Sequence, residues 1–233
     1  MEKLLYNSLI FAHVLCGVLA LITGLVAMAV HKKGGKVHNL AGIVFYWSMF
    51  VIFISTLGFF VLDPSNLRYQ FFVGIGTVSF YPNFSGKRIL SMKKAINPTL
   101  IDWSAAWLVG ICGVIMSAYA IYGFLNPQDF SGYQYLFGLF AILCFANAYG
   151  DLMVYSGKRK VEKMHWFLGH AGKMTGAYAA AVTAFCVNIV PRYLPENISF
   201  IFNLSLWIVP GVLVGFIGNR IINHYKVKFG LSV

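Results

Sequence analysis

Residues 165–188, HWFLGHAGKMTGAYAAAVTAFCVN, place His170 and Lys173 in the first turns of a stretch long enough to cross a bilayer. Ionisable groups at that depth are expensive and ordinarily face a protein interior or a water pocket, so the pair marks a candidate site. His13, His31, His38, Asp151, His165 and Met174 are the other groups able to do chemistry. Three chemistries suit this set. Imidazoles from facing helices, with glycines that admit a flat macrocycle, can hold b-type haem: His38 and His170 as inner ligands, Met174 in place of one of them, and His13 at an outer site. His38, Asp151 and His170 around Zn²⁺ with an open water position would make a membrane hydrolase. Asp151 and Lys173 could serve a transporter as a gated polar site, or neutralise each other as an architectural pair.

Helical spacing sorts these residues. At about 100° per residue, His170, Lys173, Ala177, Ala181 and Asn188 share one face. Gly172, Gly176, Ala180 and Ala184 form a separate small-residue stripe of the kind that lets two membrane helices approach. Met174 lies four residues after His170 and can meet it. His165 is five residues away and points elsewhere; beside Trp166 it reads as an interfacial anchor. His13, Gly17, Ala20, Gly24, Ala27 and His31 fall in a narrow arc, a groove for a close neighbour or a flat ligand. Cys144, Asn147 and Asp151 share another face. Asn39 is a plausible helix N-cap next to His38, and Pro210-Gly211 frees a backbone carbonyl in mid-span.

The elements that position these groups follow from composition. The chain of 233 residues is 59% hydrophobic and 11% charged, with a mean hydropathy of +0.73, against roughly 25% charged residues in soluble domains. The sequence predicts an all-α polytopic membrane bundle in one domain, 1–233, with seven transmembrane helices at about 6–30, 40–62, 69–86, 101–125, 133–155, 165–189 and 200–222. The first run is too long for a signal-peptide core. The four cysteines are single, without a C-x-x-C pair, and read as small buried apolar residues.

Charge placement orients the bundle. Three lysines (32, 33, 36), four basic residues (87, 88, 93, 94), four more (158, 159, 160, 163) and three after the last span (220, 226, 228) lie on one side. Only Lys3, Arg68 and Arg192 lie on the other, whose loops are 63–68, 126–132 and 191–199. The positive-inside rule then predicts an inner-membrane protein with the N-terminus outside and the C-terminus in the cytoplasm. His31, His38, Asp151, His165, His170 and Lys173 form a polar cluster in the cytoplasmic third, while His13 and Asn188 belong to the outer side. The net charge of +11 sits in short loops, and no basic segment is long or free enough to track nucleic-acid phosphates.

Several motifs are shared with a known group. His13-x3-Gly17 with Gly24, Lys33-Gly-Gly-Lys-x-His38-x3-Gly42, and His165-Trp166-x3-His170-x3-Met174-x3-Tyr178 with Thr183-Ala-Phe185 resemble a bacterial family of membrane proteins catalogued as domain of unknown function 2306. The resemblance implies a multi-span protein with histidines at helix rims and implies no activity. The readings that stand are haem-linked redox chemistry with a quinone or other small molecule as partner, a metal-dependent hydrolase, a small-solute transporter, and an accessory subunit without chemistry. The chain is short for a carrier, and a homo-oligomer would repair that defect.

Overall fold

The computed structural model describes residues 2–194 and 199–231. The 191–199 loop and the chain-long domain expected from sequence therefore fall partly outside the described residues. Among these described residues eight α-helices follow one another: α1 Glu2–Ala29, α2 Lys36–Leu62, α3 Leu67–Arg88, α4 Leu100–Leu125, α5 Pro127–Phe130, α6 Tyr133–Tyr155, α7 His165–Ile189 and α8 Phe200–Lys228. The described residues contain no strand. Six helices (all the long ones except α3) are long and apolar enough to cross a membrane, which makes this a multi-pass membrane protein.

The exception has a physical cause. Helices α1 with α2, α4 with α6, and α7 with α8 pack as pairs, and α3 packs against α2, α4, α6 and α7. A helix enclosed by protein has little need of an apolar exterior. Accordingly α3 buries Gly74, Gly76, Ser79, Asn83, Ser85 and Gly86 beside Phe71, Val78, Tyr81 and Pro82. Two of its glycines set close approaches. A Cβ at Gly74 would lie 2.5 Å from Met116 on α4, and one at Gly86 would lie 2.9 Å from the Lys173 Cβ on α7.

Two apolar clusters hold the bundle. The larger joins α3, α4 and α6 through Phe71, Met116, Phe137 and Phe140, with Trp207 of α8 packed against it. The smaller joins α1, α2 and α7 through Ala20, Phe45, Met49, Ala177 and Tyr178. The outer faces of α1, α4 and α8 are exposed and apolar, as lipid contact requires.

Two local expectations are corrected. Helix α2 begins at Lys36 with Gly35 as N-cap, so Asn39 is not the cap. Its side chain donates back to the Gly34 carbonyl at 3.0 Å, and Gly34 makes the turn with φ +74°. His38 thus lies inside the first turn. The stripe Gly172, Gly176, Ala180 and Ala184 makes no close helix approach within the chain. Gly172, Gly176 and Ala184 are exposed, while Ala177, Tyr178 and Thr183 are the buried residues of α7. The tight approaches to α7 come instead from glycines of its neighbours: Gly86 of α3 against Lys173, Gly218 of α8 against Thr175 and Gly24 of α1 against Tyr178. Helix α8 carries Pro210 within it, in mid-span as expected.

Candidate functional site

An α-helix leaves its last carbonyls without intrahelical partners, and a buried helix end must find donors elsewhere. Helices α1 and α3 both end on the lysine-rich side of the bundle, where α2 and α7 begin. His38 Nδ1 lies 3.0 Å from the Ala27 carbonyl in the last turn of α1. His170 Nδ1 lies 2.7 Å from the Gly86 carbonyl in the last turn of α3. A carbonyl can only accept, so each Nδ1 carries the proton. In the neutral imidazole this leaves Nε2 as a free lone pair. Lys33 completes the α1 end by donating to the Ala27 and Met28 carbonyls, and burial holds its ammonium below the usual lysine range.

The two rings stand 6.3 Å apart, centre to centre, at 72°. Both line a cavity of about 360 Å³ between α1, α2, α7 and α8. Gly42 opens it: a Cβ there would meet no atom within 4 Å. Met174, Phe45 and Tyr178 wall one side, with Phe45 and Tyr178 packed edge to face at 6.3 Å. Phe167, Ile221, Ile222 and Tyr225 add apolar surface, while Lys33, Asn39 and Lys87 supply polar groups. The Lys87 ammonium sits 4.1 Å from the centre of the Tyr46 ring.

A second cavity, about 300 Å³, lies between α6, α7 and the segment after α3. Asp151 and Lys173 line it together. Lys173 Nζ donates to Asp151 Oδ1 at 2.6 Å and Oδ2 at 2.5 Å, and to Ser85 Oγ at 2.9 Å. Tyr81 donates its hydroxyl to Asp151 Oδ2 at 2.6 Å. His165 also lines this cavity and uses Nε2 to reach the Met92 carbonyl at 2.9 Å, the opposite nitrogen from His38 and His170.

The sequence-derived candidates therefore separate. His38, His170 and Met174 meet at one cavity; Asp151, Lys173 and His165 meet at the other. The zinc set His38, Asp151 and His170 does not assemble, because the end of α3 and the first turns of α7 stand between the two cavities. Among the described residues no three His, Cys, Asp or Glu side chains could hold a metal ion. His31 is exposed, and its carbonyl rather than its ring is engaged, by the Tyr225 hydroxyl at 3.5 Å. His13 is at the far end of the bundle. Its Nδ1 donates to Ser55 Oγ at 2.6 Å, Ser55 donates to the Ile52 carbonyl, and the ring rests on Phe59. The other five histidines lie toward the lysine-rich end, so His13 has no imidazole partner for an outer haem.

Sequence reasoning missed five contributors. The Ala27 and Gly86 carbonyls orient the histidines but carry no side-chain signal. Tyr81 and Ser85 complete the ion pair from α3, and the run Ser79–Gly86 in a weakly apolar helix was the available hint. Arg88 forms a two-pronged pair with Asp102, at 2.7 and 2.8 Å, that ties α3 to the start of α4.

A scan against protein-family models and searches of curated proteins and of solved structures found no match to this chain.

Proposed function

We propose that this chain is an inner-membrane redox protein that holds one b-type haem between His38 and His170. The observation that carries the reading is the paired anchoring. Both imidazoles are locked by Nδ1 to helix-end carbonyls, both line one cavity, and their spacing suits a single shared iron. The ring centres stand 6.3 Å apart. Anchoring of the distal nitrogen is the usual means of fixing the tautomer and orientation of a ligating histidine.

The residues present fit the macrocycle. Gly42 leaves its Cβ position open to the cavity, and the walls are largely apolar and aromatic. Lys33, Asn39 and Lys87 suit the two propionates, with lysine acting as a point charge. Haem supplies one-electron chemistry when bound. The protein's own part would be to hold both imidazoles by Nδ1, which leaves Nε2 free, and to place the cations at the rim of the cavity. The outer haem at His13 and the zinc hydrolase are not part of the proposal.

The same reading takes α3 as a seventh crossing. Its 22 residues span about 33 Å at 1.5 Å per residue, against a hydrocarbon core of about 30 Å. It starts level with α1's first turns, where the Tyr69 and Tyr6 hydroxyls lie 3.4 Å apart, and ends at His170. With seven crossings the termini lie on opposite sides, the N-terminus outside and the lysine-rich end in the cytoplasm. Membership of the domain-of-unknown-function 2306 family is likewise proposed, on the motifs alone.

The test is an absorption spectrum of detergent-purified protein from cells supplied with haem precursor, air-oxidised and then reduced with dithionite. A Soret band that sharpens and shifts on reduction, at one haem per chain, is expected. His38→Ala and His170→Ala should each abolish it. Gly42→Leu should also abolish it while leaving the fold intact, because its Cβ would meet no atom within 4 Å at a position that lines the cavity. A flat visible spectrum from folded wild-type protein overturns the proposal.

A further inference from the structure

The second cavity sits one helical turn from the proposed haem ligand. Lys173 follows His170 by three residues on α7, and two consecutive residues of α3 serve the two groups. Gly86 accepts from His170 through its carbonyl, and Ser85 accepts from Lys173 through its hydroxyl. A continuous chain of contacts therefore runs from Asp151 through Lys173, Ser85 and Gly86 to His170. The partition is thin because Gly86 lets α7 come close. The cavity is also open at the bundle surface. Exposed Ala146 and half-buried Gly150 of α6 line it, and a Cβ at Gly150 would meet nothing within 4 Å. Its lining combines Asp151, Lys173, Asn147 and Tyr155 with apolar Ile89 and Val154. Such a site suits a molecule with an apolar body and a polar ring, arriving from the bilayer.

We propose that this cavity binds the head group of a lipid-soluble quinol and that Asp151 accepts its proton as the electron crosses to haem; the proposal rests on the haem reading above. One quinol reduces the ferric haem of two protein molecules. Its two O–H bonds break, two C=O bonds form, two irons go from Fe(III) to Fe(II), and two protons leave, one at each electron step, through the Asp151 carboxylate. The pairing of proton with electron has an electrostatic reason. An electron arriving in a low-dielectric interior adds one negative charge, and a proton delivered to a carboxylate nearby cancels it. Lys173 and Tyr81 hold the Asp151 carboxylate in place at the cavity wall through their hydrogen bonds.

The experiment mixes air-oxidised, haem-loaded protein with a decyl-tailed ubiquinol in a stopped-flow spectrometer and follows the reduced haem band. Wild-type protein should reduce at a rate that saturates with quinol. Gly150→Leu, which adds an apolar side chain at a cavity-lining position whose Cβ would meet no atom within 4 Å, should keep the haem spectrum and the dithionite response and lose at least tenfold in quinol rate. Asp151→Asn should lose a similar factor. If wild-type protein carries no haem, the haem reading falls and this one with it. If haem is present and Gly150→Leu reacts with quinol as fast as wild type, the cavity assignment is overturned and the haem reading stands. Should Asp151→Asn fail to fold, the Gly150→Leu comparison decides alone.

Discussion

Removing the Lys173 ammonium should cost this bundle more than any other single side-chain truncation described above. In Lys173→Met the aliphatic stem keeps its packing, but three hydrogen bonds vanish, two of them to Asp151. The carboxylate is then left with the Tyr81 hydroxyl alone. The two side chains are 18% and 10% exposed, so solvent screens the pair little and no large discount applies. Breaking a buried pair from one side costs about 3–5 kcal/mol, because the surviving charge stays buried without compensation. The double variant Lys173→Met with Asp151→Asn removes that charge as well, and should lose only about 1–2 kcal/mol, as expected for a few neutral hydrogen bonds. The cycle then yields a coupling energy of about 2 kcal/mol or more. The assay is reversible unfolding in mixed micelles by SDS titration, followed by far-UV circular dichroism, on wild type, both singles and the double. A coupling below about 0.5 kcal/mol would place the pair with exposed surface salt bridges and refute the reasoning from burial.

Other outcomes follow from the same geometry. Gly86→Ala sets a helix-propensity gain of about 0.5–1 kcal/mol against overpacking of about 1–3 kcal/mol, since its Cβ would lie 2.9 Å from that of Lys173; a net loss in the SDS titration is expected. Gly150→Ala meets no atom within 4 Å, so only the propensity gain remains and the midpoint should rise. Arg88→Lys keeps the charge but loses the fork that grips Asp102 and Thr99; with Arg88 32% exposed, a loss of about 1 kcal/mol is expected from the same titration. For orientation, a membrane-impermeant maleimide added to intact cells should label Ser65→Cys and spare Ser91→Cys in a background without native cysteines, and the reverse pattern would invert the proposed topology.

How far these features were legible in the sequence varied with the kind of signal. The starts of α6 and α7 were expected at 133 and 165, where composition switches abruptly from Gly, Lys and Ser to apolar runs. Helices α2 and α8 run several residues beyond the expected spans, to Lys36 and Lys228. Hydropathy marks where a helix leaves the apolar layer, whereas the backbone stops only where a turn such as Gly34–Gly35 breaks it. In α3, residues chosen to face protein do not carry the apolar signature of lipid-facing helices. The small-residue stripe of α7 was misread for the converse reason. A stripe shows that a helix could approach, and it does not name the neighbour.

For the site, the sequence by itself determined depth. Hydropathy and loop charge place His38, Asp151, His165, His170 and Lys173 at one end of the bundle and His13 at the other, because residue number along a spanning helix converts directly into position along its axis. Tertiary structure alone decided azimuth, which helix face meets which. It brought His38 to His170, gave each a helix-end carbonyl from a third or fourth helix, and put Asp151 behind the wall formed by α3 and α7. Those backbone acceptors exist only where two helix ends meet, and no residue type in the sequence announces that meeting.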